Sequence, residues 1–204
     1  ELGEETIINR WVTENHNYSC PLWLIEKSYS KLIREDFPKK SKPVSIIISA
    51  KYFPLTYHCK LYLLKMFDKT FPNILKYFGK QSVTGWVMPI GYRYRIQFVK
   101  RFSNAYPNVL DFYGKTVSTK HKRYDISTIK DWKGPIDDKW DALAPYRYNF
   151  VFENTSEKNY FTNKLFDSIL AGCMPIYWGC TNLEDYFPKN SFIKLDITKK
   201  ITKK

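Results

Sequence analysis

Several features of membrane proteins and metal proteins are missing from this sequence of 204 residues. It has no run of roughly 18 apolar residues, the length that a membrane-spanning helix needs. Its four cysteines form no CxxC pair, and its three histidines stand apart from one another. The sequence therefore predicts neither a zinc site nor any other bound metal. The first residues, from Glu1 onward, include neither a basic nor an apolar stretch, so we expect no signal peptide among them.

The composition is that of a packed, basic domain. Apolar residues make up 44% of the chain and aromatic residues 18%, more than a disordered chain carries. The net charge is 33 − 20 = +13, and the only dense basic run is Lys199–Lys204. This charge is typical of a Lys-rich surface and also fits an anionic partner such as nucleic acid, lipid or a nucleotide diphosphate. No nucleic-acid-binding motif accompanies it, so we expect no nucleic-acid partner.

The pattern along the chain indicates alternating strands and helices. Residues 37–43 are rich in Pro and Lys and are typical of a linker, and a β-branched run follows at 44–49. Residues 60–80 and 95–115 then resemble each other, with seven of 21 positions identical. Each copy predicts a helix of about ten residues, a Pro-Asn break, a short strand and a glycine. The likeness is explained equally well by duplication and by a shared packing problem.

These elements predict one α/β domain of three layers around a mainly parallel sheet. We expect strands near 44–49, 74–78, 109–113, 148–152 and 174–178, and a long polar loop over 116–145. We expect its acidic cluster, residues 137–141, to be a solvated loop or a helix start. Cys173 and Cys180 lie in apolar surroundings and are predicted to be buried thiols. The domain is predicted to span residues 44–197, with an N-terminal extension at 1–43 and a basic tail at 198–204.

The most informative segment is a strand–loop–helix–strand unit at 148–179. Thr162 is a candidate N-cap, a helix is predicted over 164–170, and Gly172 is a candidate stop signal. The start of such a helix lies at the carboxyl edge of the sheet, where free N–H groups favour an anion. Lys164 adds a positive charge there, and Asn154 and Tyr160 add neutral donors. A carboxylate following a buried strand, as Glu153 does, most often binds backbone N–H groups.

This segment resembles the donor-binding half of the α-1,3/α-1,4-fucosyltransferases (glycosyltransferase family 10). The likeness is carried by YRYNFVFEN at 146–154, YFTNKL at 160–165, AGCMPIYWG at 171–179 and SFI at 191–193. The spacing of these four segments is largely that of the family. Upstream, Arg95 with Phe98 and Val99 resembles the family's R-x-x-F-V segment more loosely.

The resemblance implies the donor half of a two-lobed GT-B enzyme with Rossmann-like lobes. Such an enzyme transfers fucose from GDP-fucose to a glycan hydroxyl with inversion and without a metal. By position, Arg95 and Lys164 would neutralise the diphosphate, and Asn154 and Tyr160 would bind it or the ribose. The implied partners are GDP-fucose, a glycan acceptor and an acceptor lobe, either in a missing N-terminal domain or in a partner protein.

Two departures from the family pattern leave the activity open. Asn163 stands where the family has a glutamate near the donor, so a neutral amide replaces a catalytic charge. Only residues 1–43 precede the first predicted strand, too few for an acceptor lobe with its general base. The alternative is a weak or inactive nucleotide-sugar-binding remnant. The compartment also stays open: cytoplasmic or membrane-peripheral for a bacterial or viral protein, the Golgi lumen for a eukaryotic one.

Overall fold

The computed structural model describes residues 24–32, 34–48, 90–116 and 125–199. Its helices and strands, in chain order, are α1 (Tyr29–Leu32), β1 (Lys42–Ile47), α2 (Ile90–Ala105), β2 (Leu110–Tyr113), β3 (Tyr146–Phe152), α3 (Asn163–Leu170), β4 (Met174–Trp178) and β5 (Ile193–Lys194). The predicted strand at 74–78, the first repeat copy at 60–80 and the tail beyond Lys199 lie outside the described residues.

The five strands form one parallel sheet in the order β2-β1-β3-β4-β5. In the register, Ile46 pairs with Phe112 of β2 on one side and with Phe150 of β3 on the other. These are the apolar runs that the sequence assigned to buried strands. The predicted parallel α/β sheet is confirmed, and β5 adds a strand of two residues that the pattern did not predict.

Helix α2 covers one face of the sheet. Its Phe98 packs edge-on against Phe150 and Phe152, with ring centroids 5.1 and 5.0 Å apart. Val99 is completely buried in the same cluster. The helix has 16 residues, against the ten predicted, because it begins at Ile90 rather than near Arg95. It ends just before the predicted Pro-Asn break, where Asn108 adopts a left-handed φ of 65°.

Helix α3 covers the opposite face, which completes the three layers. Leu165 packs with Val151 and Tyr177, residues that alternate along their strands with those facing α2. Both predicted end signals are confirmed. The Thr162 hydroxyl accepts from the backbone N–H of Lys164, and Gly172 follows the helix with φ 71°.

The described part of the predicted N-terminal extension packs on this domain. Ile25 is buried in a cluster with Leu143 and Tyr146. The Lys40 ammonium donates to the carbonyls of Ala144 and Ala171 at 2.9 and 2.5 Å. Strand β1 begins at Lys42, within the predicted linker, so the last two linker residues belong to the sheet.

The described part of the loop before β3 is mainly turns, as predicted, with one short 3-10 helix at Lys139–Ala142. Asp138 caps this helix by accepting from the N–H of Trp140 at 2.9 Å. The acidic cluster is therefore a helix start, one of the two predicted outcomes. The cap fixes the backbone at Lys139, the first residue of this helix.

A charged cluster joins the first three strands. Asp111 of β2 accepts from the Tyr146 hydroxyl at 2.7 Å and from Lys42 at 3.1 Å, and it forms an ion pair with Lys133 at 3.3 Å. Burial alone would raise the pKa of Asp111, but these hydrogen bonds outweigh burial and lower the pKa. The ionised carboxylate is thus favoured in the folded protein.

Two of the four cysteines lie among the described residues. Cys173 and Cys180 are free thiols and both are buried, as predicted. Among the described helices, none combines the length and the apolar character needed to cross a bilayer.

Candidate functional site

A cleft of about 310 Å³ opens at the carboxyl ends of β1 and β3. Helix α2, the described helix that follows β1, and helix α3, which follows β3, lie on opposite faces of the sheet, so the cleft lies between strands whose helices diverge. This is where open parallel α/β sheets bind their ligands. Ile47 and Phe152 form part of the cleft wall. Its polar lining consists of Arg95, Lys139, Asn149, Asn154, Asn163, Lys164 and Asp167.

Lys164 reaches the cleft from the first turn of α3. Its ammonium donates to Glu153 Oε2 at 2.8 Å and to the Thr162 hydroxyl at 2.9 Å. The side chain keeps 27% of its surface exposed, and Lys164 is one of the residues that line the cleft. The sequence predicted a cation at this helix start but not that a buried acid would hold it.

Glu153 is completely buried at the end of β3. Its Oε1 accepts from the Thr162 backbone N–H at 2.8 Å, which confirms the expected bond to a backbone group. Gly179 leaves the room for this side chain: a Cβ there would lie 2.5 Å from Glu153 Cγ and 2.7 Å from the Tyr177 hydroxyl. The carboxylate is therefore fixed by packing as well as by hydrogen bonds.

Arg95 and Asn154 reach the cleft from two other elements. Arg95, on α2, is only 3% exposed and donates from Nη1 to the Phe152 carbonyl at 3.2 Å. Asn154 follows Glu153, and its Oδ1 is buried without a hydrogen-bond partner among the described residues. An amide oxygen in this state is suited to accept from a ligand hydroxyl or N–H.

Asn163 takes part in a second charged group, with Asp167 and Lys139. Asp167, one turn further along α3, is 2% exposed. Its Oδ2 accepts from Asn163 Nδ2 at 3.0 Å and from the Lys139 ammonium at 2.6 Å. The amide of Asn163 thus donates to an acid that lies in the same cleft.

Tyr160 differs from the other four predicted site residues. Arg95, Asn154, Asn163 and Lys164 all line the cleft, but Tyr160 is not among its lining residues. Its carbonyl accepts from the Tyr177 hydroxyl at 3.4 Å. Its predicted contact with the donor therefore has no support from this geometry and stays a prediction.

Lys139 and Asp167 were missed by sequence reasoning. Lys139 begins the short 3-10 helix before β3 and contacts Asp167 of α3 across 28 positions, so no helical or strand spacing relates the two residues. Asp167 lies between Phe166 and Ser168 of α3, and the acids of a helix are usually exposed rather than buried. In the parts of the chain that the structure describes, no three His, Cys, Asp or Glu side chains are grouped to hold a metal ion.

Among curated proteins, the chain is similar to several fucosyltransferases. It is 41% identical over 59 residues to a putative fucosyltransferase-like protein of Arabidopsis thaliana, covering 28% of this chain and 12% of that protein. It is 33% identical over 60 residues to an α-(1,3)-fucosyltransferase of Helicobacter pylori, covering 29% of this chain and 13% of the relative. The aligned part is thus about an eighth of each relative's length.

Among solved structures, an α1,3-fucosyltransferase with GDP matches 80% of this chain and 32% of its own, at 20% identity and a TM-score of 0.45. The same kind of enzyme with GDP-fucose matches 95% of this chain and 40% of its own, at 18% identity and a TM-score of 0.45. The model of the C-terminal part of glycosyltransferase family 10 (fucosyltransferase) matches residues 79–203, more than half of the chain. The chain therefore belongs to glycosyltransferase family 10, the fucosyltransferases.

Proposed function

We propose that this chain supplies the GDP-fucose-binding half of a two-lobed fucosyltransferase. One observation carries the proposal. Three residues from different elements line the same cleft at the carboxyl edge of the sheet: Arg95, Asn154 and Lys164. Two cations suit the diphosphate of a nucleotide, and the buried amide oxygen can accept from a ribose hydroxyl or a base N–H. The cleft also lies at the positive end of the α3 dipole. Family membership selects GDP-fucose among such ligands.

The proposed reaction is inverting transfer of fucose to a glycan hydroxyl. The bond between the sugar and the diphosphate breaks as the acceptor oxygen attacks from the opposite side, and the diphosphate leaves with an additional negative charge. Cations that are already in place stabilise this charge more in the transition state than in the ground state. Arg95 and Lys164 are the candidates for that role. The acceptor and its general base belong to a second lobe.

Titration calorimetry of the folded chain with GDP tests the donor site. Lys164→Ala should weaken GDP binding by about 1–3 kcal/mol, the range for a lost charge-assisted hydrogen bond. Lys158→Ala is the matched control, because Lys158 is an exposed lysine in the loop before α3. Circular dichroism checks that each variant is folded. GDP affinity that is equal in wild type and in folded Lys164→Ala would remove Lys164 from the site.

A second candidate function is nucleotide-sugar binding without transfer. It is favoured by one observation: Asn163 is neutral, and its amide donates to Asp167 rather than presenting a charge to a sugar. Assays of a protein that includes the acceptor lobe, with GDP-fucose, GDP-mannose and UDP-sugars as donors and glycans as acceptors, separate the candidates. GDP binding without transfer or donor hydrolysis selects the second, and turnover of GDP-fucose selects the first.

A further inference from the structure

Glu153, Thr162 and Lys164 form a closed ring of hydrogen bonds beside the cleft. The Thr162 hydroxyl lies 3.0 and 2.9 Å from the two carboxylate oxygens of Glu153, to which it can donate its single hydrogen. The same hydroxyl accepts from the Lys164 ammonium at 2.9 Å, and this ammonium also donates to Glu153 at 2.8 Å. Each side chain is thus held by both of the others.

The ring defines what the Lys164 ammonium can still do. An ammonium has three N–H donors, and the ring uses two of them. Among the described residues the third has no partner, and Lys164 lines the cleft in which a ligand would lie. A free lysine side chain samples many rotamers, and the ring removes that freedom before a ligand arrives.

We propose that Glu153 is a positioning residue, which fixes the Lys164 ammonium toward the diphosphate of the donor. The inference rests on the proposed GDP-fucose function and goes one step further, since Glu153 itself contacts no ligand in it. The room that Gly179 leaves for the Glu153 side chain belongs to the same arrangement.

Positioning by Glu153 and its negative charge would have opposite effects on GDP binding. Glu153 is an anion 2.8 Å from Lys164, so it reduces the positive potential that an anionic ligand meets. If charge alone mattered, Glu153→Gln would tighten GDP binding. If Glu153 acts by positioning, the same variant weakens GDP binding although a negative charge has been removed.

The experiment is a double-mutant cycle on the folded chain, with GDP and inorganic pyrophosphate as ligands in calorimetry. Glu153→Gln should weaken the binding of both ligands by about tenfold in the wild-type background. In the Lys164→Met background it should cause no loss of affinity, because the group that it positions is absent and only the removal of a negative charge remains. Glu157→Gln is the matched control: it removes one charge from the same loop, and in the described part of the chain Glu157 has no ion pair.

The results distinguish a failure of the positioning role of Glu153 from a failure of the proposed GDP-fucose function. Tighter or unchanged binding by Glu153→Gln overturns the proposal, and so does an equal loss in both backgrounds, which a merely structural role would produce. Wild type that binds pyrophosphate but not GDP contradicts the proposed function alone, and the cycle is then read with pyrophosphate. Wild type that binds neither ligand overturns both. If Glu153→Gln does not fold, Glu153→Asp keeps the charge, shortens the side chain and should give the same pattern.

Discussion

Asn163→Glu restores the residue type of the family pattern and should destabilise this chain. Asn163 Nδ2 lies 3.0 Å from Asp167 Oδ2, and the two side chains are only 8% and 2% exposed. The variant loses a hydrogen bond to a charged group, which contributes about 1.5–3 kcal/mol. It also places a second carboxylate beside that of Asp167 in a poorly solvated position.

The size of the repulsion follows from the distances. Two like charges about 4 Å apart repel by about 4 kcal/mol at an effective dielectric constant of about 20. Lys139, 2.6 Å from Asp167, would attract the new carboxylate with an energy of similar size. The net loss in the free energy of unfolding is then about 1.5–3 kcal/mol. For a chain of this length, each kcal/mol lowers Tm by about 2–4 °C.

Urea and thermal unfolding of three variants at pH 7 test this account. Asn163→Gln has the length of the glutamate without its charge, so it separates size from charge. Asn163→Glu combined with Asp167→Asn exchanges acid and amide and should recover most of the loss, because one carboxylate again faces Lys139. Equal stability of Asn163→Glu and Asn163→Gln, or a double variant no more stable than Asn163→Glu, would refute the reasoning. If position 163 limits catalysis, Asn163→Glu should also raise fucose transfer in a protein with an acceptor lobe, with little change in GDP affinity.

Two further predictions concern stability. The pKa of Asp111 is lowered in the folded protein, so the ionised carboxylate contributes to the free energy of unfolding. This contribution is fully present above the unfolded pKa of about 3.9 and is lost as the pH falls through the folded pKa. Asp111→Asn should thus be less stable than wild type in urea at pH 7 and approach it below pH of about 4; a difference that is constant with pH would contradict this. Gly172→Ala should lose about 1–2 kcal/mol, because φ is 71° and the new Cβ would lie 2.7 Å from the Phe37 ring. Combining it with Phe37→Ala should recover only the steric part, and full recovery would show that the backbone conformation is not strained.

The layers of the fold could be predicted because local patterns determine them. The β-branched run at 44–49 and the aromatic and β-branched composition of 148–152 each indicate a strand regardless of its partners. The end signals of α3 were also local, since Thr162 and Gly172 act within one turn of the helix. The first turn of α2 was missed because Gly91 and Tyr92 are weak helix formers.

The candidate site was only partly predictable. Asn154 and Lys164 were identified from the strand–loop–helix pattern and again through the resemblance, and Arg95 and Asn163 through the resemblance alone. The structure brings all four to one cleft, while their contacts with a donor stay predictions. Their partners are set by tertiary packing. Glu153 meets Lys164 across 11 positions, through a loop whose path has no sequence period.

The charge of the cleft shows why composition alone is a poor guide to this site. Lys164 and Lys139 would be counted from the sequence as free cations, yet each is paired with a buried acid, at 2.8 and 2.6 Å. A buried ion pair adds little attraction for an anion, because its two charges largely cancel at a distance. Near the pair, however, the ammonium has a fixed position and does not need to reorganise when charge develops on a ligand. The site is therefore better understood as a set of positioned donors than as a basic patch, and the net charge of +13 says little about it.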